Sequence, residues 1–235
     1  MKTLLFANTK GGVGKSTLAV HLAVWLFDRG AKVALLDVDR QSSASQWIAE
    51  AEPKITVKNA GTPEDVVADV QSLAQSHDFV VADGPGGLND SSRTLLILAD
   101  LAIFPTTPSV LDLRSVAEAT ELLKYAQALN GGKVQGRLVL NRMKTRCRIS
   151  RELADAAPSL GLSVAKSNIR DLQPYCDAAQ QGTVVTRMGY KAKDAATELT
   201  QLFVELMTDK LAFLEDPSPE TSEENTRHEH KTLAK

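Results

Sequence analysis

Two lysines and three glycines within residues 10–15 carry the densest chemistry of this 235-residue chain, in the run Lys10-Gly11-Gly12-Val13-Gly14-Lys15-Ser16-Thr17. Glycines without a Cβ let the backbone take positive φ and approach a ligand closely. Consecutive N–H groups of such a loop form an anion nest, and the positive end of a following helix reinforces it. Lys15 is placed to reach β- and γ-phosphates, and the Ser16 hydroxyl to hold Mg²⁺. Lys10 comes too early in the loop to duplicate Lys15. A cation there is either a solvated lysine or one that reaches across an interface to a nucleotide held by a second copy. The strict phosphate-loop pattern asks for Gly five places before Gly14, and Thr9 stands there instead.

Two carboxylate motifs follow. Val33 to Asp39 is an apolar run ending in Asp37 and Asp39, and Phe79 to Asp83 is a second, followed by Gly84-Pro85-Gly86-Gly87. Ligands of parallel sheets sit at the carboxyl ends of strands, so all three acids are expected to face the phosphates. Asp83 has the Walker B position, where a carboxylate accepts hydrogen bonds from water on Mg²⁺. The glycines after it read as a switch loop that orders or releases around a γ-phosphate. Helix capping or a buried ion pair remains an alternative for Asp39 and an equal one for Asp37.

These groups need a frame. Apolar runs place strands at 3–8, 32–37, 55–58, 78–83, 100–105, 135–141 and 162–165. Helical patterns lie at 16–29, 43–50, 63–76, 90–98, 109–129, 148–157 and about 190–211. Alternation of this kind predicts an α/β fold with a mainly parallel twisted sheet and helices on both faces. Residues 1–212 are expected to form one domain. Residues 213–235 lack an apolar stripe and are expected to be a polar, disordered tail.

The loop with its early lysine resembles the deviant Walker A box of the ParA/MinD family of P-loop ATPases, whose signature lysine matches Lys10. The likeness extends from residue 2 to about 210 and is greatest to short ParA-type partition ATPases. It implies ATP and Mg²⁺ as ligands of a sandwich homodimer, with Lys10, Lys15 and Asp39 catalytic. Asp39 orients the attacking water; Ser16, Asp37 and Asp83 serve the metal. Residues 10–17 hold the phosphates, and Asn141 is the match for a base-contacting asparagine, with 168–171 as a second candidate. The family carries proline after the second aspartate; Arg40 stands here, which questions the stiffness of that loop. The segment 104–112 resembles one that lies near the dimer interface.

Composition excludes some classes. The formal net charge is −2, so any nucleic-acid or membrane contact must use a local patch. Cys147 and Cys176 are too far apart for a metal or redox motif and point to a reducing cytoplasm. The chain enters a strand at once, with no leader pattern, and no apolar run is long enough to span a bilayer. From Arg137 to Arg151 there are six basic residues and no acidic one. Arg142, Lys144, Arg146, Arg148 and Arg170 are therefore expected to bind duplex DNA without sequence preference, as the resemblance implies. It also implies a cargo- or centromere-bound protein that stimulates slow hydrolysis. Positioning at a membrane surface and filament formation are the alternatives. The acidic, polar tail offers no basic amphipathic helix for the first.

Overall fold

The computed structural model describes residues 2–87, 89–108, 110–144 and 162–208. The expected helix at 148–157 and the tail lie outside them, as do Arg146 and Arg148. Seven strands form one sheet: β1 Lys2–Asn8, β2 Val33–Asp37, β3 Thr56–Asn59, β4 Phe79–Gly86, β5 Leu101–Thr106, β6 Gln135–Leu140 and β7 Ser163–Val164. Their order is β3-β2-β4-β1-β5-β6-β7, and every pairing is parallel. The helices are α1 Lys15–Phe27, α2 Ser43–Ala51, α3 Pro63–Leu73, α4 Asp90–Leu98, α5 Val110–Leu129, α6 Gln173–Gln180 and α7 Lys193–Met207.

Strand side chains alternate between two apolar clusters. Leu4, Phe6, Val33, Leu35, Phe79 and Val81 face a cluster built with α1, α2 and α7. Leu5, Ala7, Ala34, Leu36, Val80 and Ala82 face one built with α3, α4 and α5. A sheet covered on both faces explains strands that read as unbroken apolar runs. Helix α1 is buried from Leu18 to Leu26 on all sides, because it lies between the sheet and two other helices. Truncating one of these leucines to alanine costs about 2–5 kcal/mol. The loop ahead of α1 therefore rests on a rigid support.

Chain order reverses at β1, which sits between β4 and β5. That is the switch point at which open parallel sheets leave a crevice at their carboxyl ends. Alternation also sorts the acids. Asp37 continues the parity of Val33 and Leu35, and Asp83 that of Phe79 and Val81, so both carboxylates lie on the α1 face. Asp37 and Asp83 are direct register partners.

Two expectations need correction. Gly84, Pro85 and Gly86 belong to β4 rather than to a mobile loop. A Cβ on Gly84 would lie 2.7 Å from the Phe6 carbonyl, so this glycine permits close strand approach. Of the four residues expected as a switch loop, Gly87 alone lies outside β4. Helix α6 was not expected, because its sequence is polar and short; Pro174 in its first turn was the available signal.

Candidate nucleotide-binding site

The loop between β1 and α1 is shaped by Gly12 and Gly14, with φ of 75° and 96°. Gly14 is the N-cap of α1; no side chain caps that helix, and no acid lies in its first turn. Its first N–H groups are thus open to an anion. A Cβ on Gly14 would collide with the Asn141 amide, so packing as well as φ requires glycine here.

Side chains hold the loop from several directions. Asn8, 1% exposed at the end of β1, donates to the Pro105 carbonyl at 2.7 Å and accepts from the Lys10 N–H at 2.9 Å. Asn141 donates from Nδ2 to the Val13 carbonyl at 2.7 Å. Arg142 donates from Nη1 to the Gly12 carbonyl and from Nε to Asp171, both at 3.3 Å. Lys15 is buried and donates to the Lys10 carbonyl at 3.3 Å. Burial lowers the Lys15 pKa, while the charges of Asp83 and Asp39 oppose that shift.

Asp83 is fully buried, and neither carboxylate oxygen has a partner of good hydrogen-bond geometry. Burial pushes its pKa up to about 7; the neighbouring Ser16 hydroxyl pulls it down, Asp37 raises it, Lys15 lowers it and Asp39 raises it. An orphaned buried carboxylate beside a serine at a helix start fits a hydrated Mg²⁺. That ion uses one or two carboxylates together with phosphates and water rather than an all-protein cage. No cluster of three or more His, Cys, Asp or Glu able to hold a metal occurs among the described residues.

Asp37 does structural work. Its Oδ1 accepts the Asp39 N–H at 3.0 Å, and its Oδ2 accepts the Ser45 N–H and hydroxyl, each at 2.8 Å. It thereby caps α2 from the end of β2, the alternative the sequence left open. Asp39 is half-buried; its Oδ1 accepts from the Gln41 N–H at 3.0 Å, and its carbonyl accepts from the Ser42 N–H. These turns fix the loop that Arg40 leaves without a proline.

A cleft of about 420 Å³ opens between loop residues 10–13 and Thr107, Pro108, Arg142, Lys144 and Asp171. The structure thus gathers Lys10, Thr107, Pro108 and Asp171 around one space. Of the described residues expected to bind DNA, Arg142 and Lys144 line this cleft and Arg170 does not. Arg142 is turned to the loop. Arg170 is held by Glu198 and Asp194, and the latter contact is 3.2 Å. These two carboxylates share its charge, and its side chain stays 45% exposed. Lys144 is exposed at the cleft mouth.

Sequence reasoning missed Asn8, Ser45 and His21. A polar residue closing a buried strand was the signal for Asn8. His21, 1% exposed, has Nδ1 2.7 Å from the Thr17 carbonyl and accepts the Val185 N–H on Nε2 at 3.2 Å. It is neutral at ordinary pH, because burial lowers its pKa to about 4. It thus joins the phosphate-loop helix to the C-terminal part of the chain.

Comparison with known proteins agrees with this geometry. Residues 4–197 match the family model described as CobQ/CobB/MinD/ParA nucleotide binding domain. "Maintenance of carboxysome distribution protein A" of Halothiobacillus neapolitanus is 31% identical over 210 residues, covering 87% of this chain and 96% of the relative. Among solved structures, the cell division ATPase MinD of Pyrococcus furiosus superposes with a TM-score of 0.72 at 22% identity, covering 88% of this chain and 98% of MinD. A variant of Cyanothece McdA in complex with ATP superposes at 0.70 and 19% identity, covering 88% and 96%.

Proposed function

The chain belongs to the CobQ/CobB/MinD/ParA nucleotide-binding family, as a ParA/MinD-type P-loop ATPase, and we propose that it is a ParA-type ATPase that positions cargo by cycling on and off DNA. The observation that carries this reading is the buried Asp83 carboxylate, approached by the Ser16 hydroxyl but without a well-formed hydrogen bond, beside Lys15 and the uncapped start of α1. A buried polar group without a partner is costly and persists where a ligand completes it.

In this reading Gly11 to Thr17 take the phosphates, and Lys15 reaches the β- and γ-oxygens. Ser16 and Asp83 would hold Mg²⁺, which would supply charge neutralisation at the phosphates. Asp37 keeps Asp39 in place, and Asp39 orients the attacking water. Two protomers enclose two ATP molecules, and Lys10 of each reaches the other's phosphates. The pairing of Arg170 and the inward turn of Arg142 leave duplex DNA to Lys144 and the Arg146–Arg148 segment of the chain. A dimer presents that patch twice, so ATP controls DNA affinity through dimerisation. A cargo-bound protein stimulates hydrolysis and dissolves the dimer. Similarity along 96% of a relative named for carboxysome distribution supports cargo positioning in general, with plasmid partition one case of it.

The test is binding to arbitrary duplex DNA with ATP, with ADP and without nucleotide. Binding is expected with ATP alone. If about six to ten phosphates are neutralised, affinity falls by roughly 10³–10⁵ between 50 and 200 mM salt. Equal binding in all three states removes the switch. Co-sedimentation with liposomes instead of DNA favours a membrane-surface role.

A further inference from the structure

We infer that Asn141 and Arg142 are positioning residues for the phosphate loop, holding its carbonyl side from the end of β6, with Asp171 holding Arg142 in turn. This rests on the reading of residues 10–17 as a triphosphate cradle.

A nest that turns its N–H groups inward must turn carbonyls outward, and those carbonyls need donors. Here consecutive carbonyls meet consecutive side chains: Val13 takes Asn141, and Gly12 takes Arg142. Both residues lie just past the end of β6, and had the strand continued, neighbours would point to opposite faces and not serve one loop. The backbone resolves this at Arg142, where φ is 54°. Left-handed backbone at a non-glycine residue is strained and persists where surrounding contacts over-determine it. Among the described residues only Ser42 shares the feature, and it borders the Asp39 loop.

Arginine is required for its shape. One planar fork sends Nε to Asp171 and Nη1 to Gly12, which the single ammonium of lysine cannot reproduce. Asp171 is itself fixed, because its N–H donates to the Met143 carbonyl at 3.0 Å while Met143 donates to Ile169 at 2.9 Å. The loop is thus tied through β6 to the segment around 169–171. A phosphate contact to DNA would want the guanidinium free of acids; here it is shared between an acid and the loop.

The experiment compares full-length Arg142→Ala, Arg142→Lys and Asp171→Asn by three readouts. These are amide exchange of residues 10–16 without nucleotide, the Kd for mant-ATP, and duplex DNA affinity at saturating ATP. All three variants are expected to speed exchange at Gly12 to Gly14 and raise the mant-ATP Kd, each about fivefold, with an unchanged unfolding midpoint. Lysine should give no rescue, and DNA affinity at saturating ATP should stay within about twofold of wild type. Unchanged exchange and Kd in Arg142→Ala overturn the inference. So does full rescue by lysine with Asp171→Asn inert and DNA affinity lost in the alanine variant, which marks a DNA phosphate contact. If the wild type binds mant-ATP but no DNA, the cargo reading falls while the loop readouts still decide this one. If it binds no mant-ATP, the nucleotide reading fails and amide exchange decides alone.

Discussion

At the carboxyl end of the sheet, Asp83 is buried with no well-formed hydrogen bond, whereas in the C-terminal third Arg170 and Arg187 each hold two carboxylates. Both regions are rich in charge, yet they are built on opposite rules. Arg187 spans Asp28, Glu52 and the Ala51 carbonyl, and so fastens the C-terminal segment to α1 and α2. Its charge is spent inside the molecule. The carboxylate of Asp83 is left open, at a cost in stability that a proton or a bound cation relieves. Incomplete satisfaction at a rigid, buried position is what separates a site from a structural cluster.

The comparison breaks most readily at Asp39. Replacement by alanine is expected to keep ATP binding and lower the hydrolysis rate by about 10²-fold or more, read by phosphate release at saturating ATP. Turnover at the wild-type rate would move the water-orienting role elsewhere.

The next effect concerns the open carboxylate itself. Asp83 titrates near 7 in the folded protein, well above its ordinary 3.8. The folded state therefore holds an extra proton between these values. Stability from this group is full below about pH 4 and is lost as pH rises through 7. Asp83→Asn removes that loss. Without nucleotide, the variant should melt roughly 5 °C above wild type at pH 8 and level with it near pH 4. Mg²⁺ and ATP should raise the wild-type midpoint far more than that of the variant. A difference that ignores pH would mean that the carboxylate is not the strained group.

The smallest effect belongs to the satisfied region. Arg170→Ala should leave ATP-dependent DNA affinity and the unfolding midpoint unchanged, because an exposed ion pair contributes little. A clear loss of DNA binding would return Arg170 to the interface and blur the contrast.

Much of this was legible in residue order. The run 10–17 and the acids 37, 39 and 83 announce themselves by type and spacing. Strands β1, β2, β4 and β5 are marked by apolar runs that two-sided burial produces, and β3, β6 and the short β7 by weaker ones. Asn141 and Arg142 were visible as strand-end polar residues, but their partners were not. The carbonyls of Val13 and Gly12 lie 128 and 130 residues away in sequence. Arg170 was legible only as one more basic position of the C-terminal half, while the acids that pair with it, Glu198 and Asp194, lie 28 and 24 residues away in sequence. Asn8 was hidden for the same reason, since the Pro105 carbonyl it holds is on another strand.

The sequence alone determined which groups can bind phosphate and which strands carry them, since glycine spacing, apolar alternation and strand-end acids act through local backbone geometry. Tertiary structure decided which charges are left for a ligand. Satisfaction of a charge depends on what packing brings within about 3 Å, and nothing in local sequence specifies that.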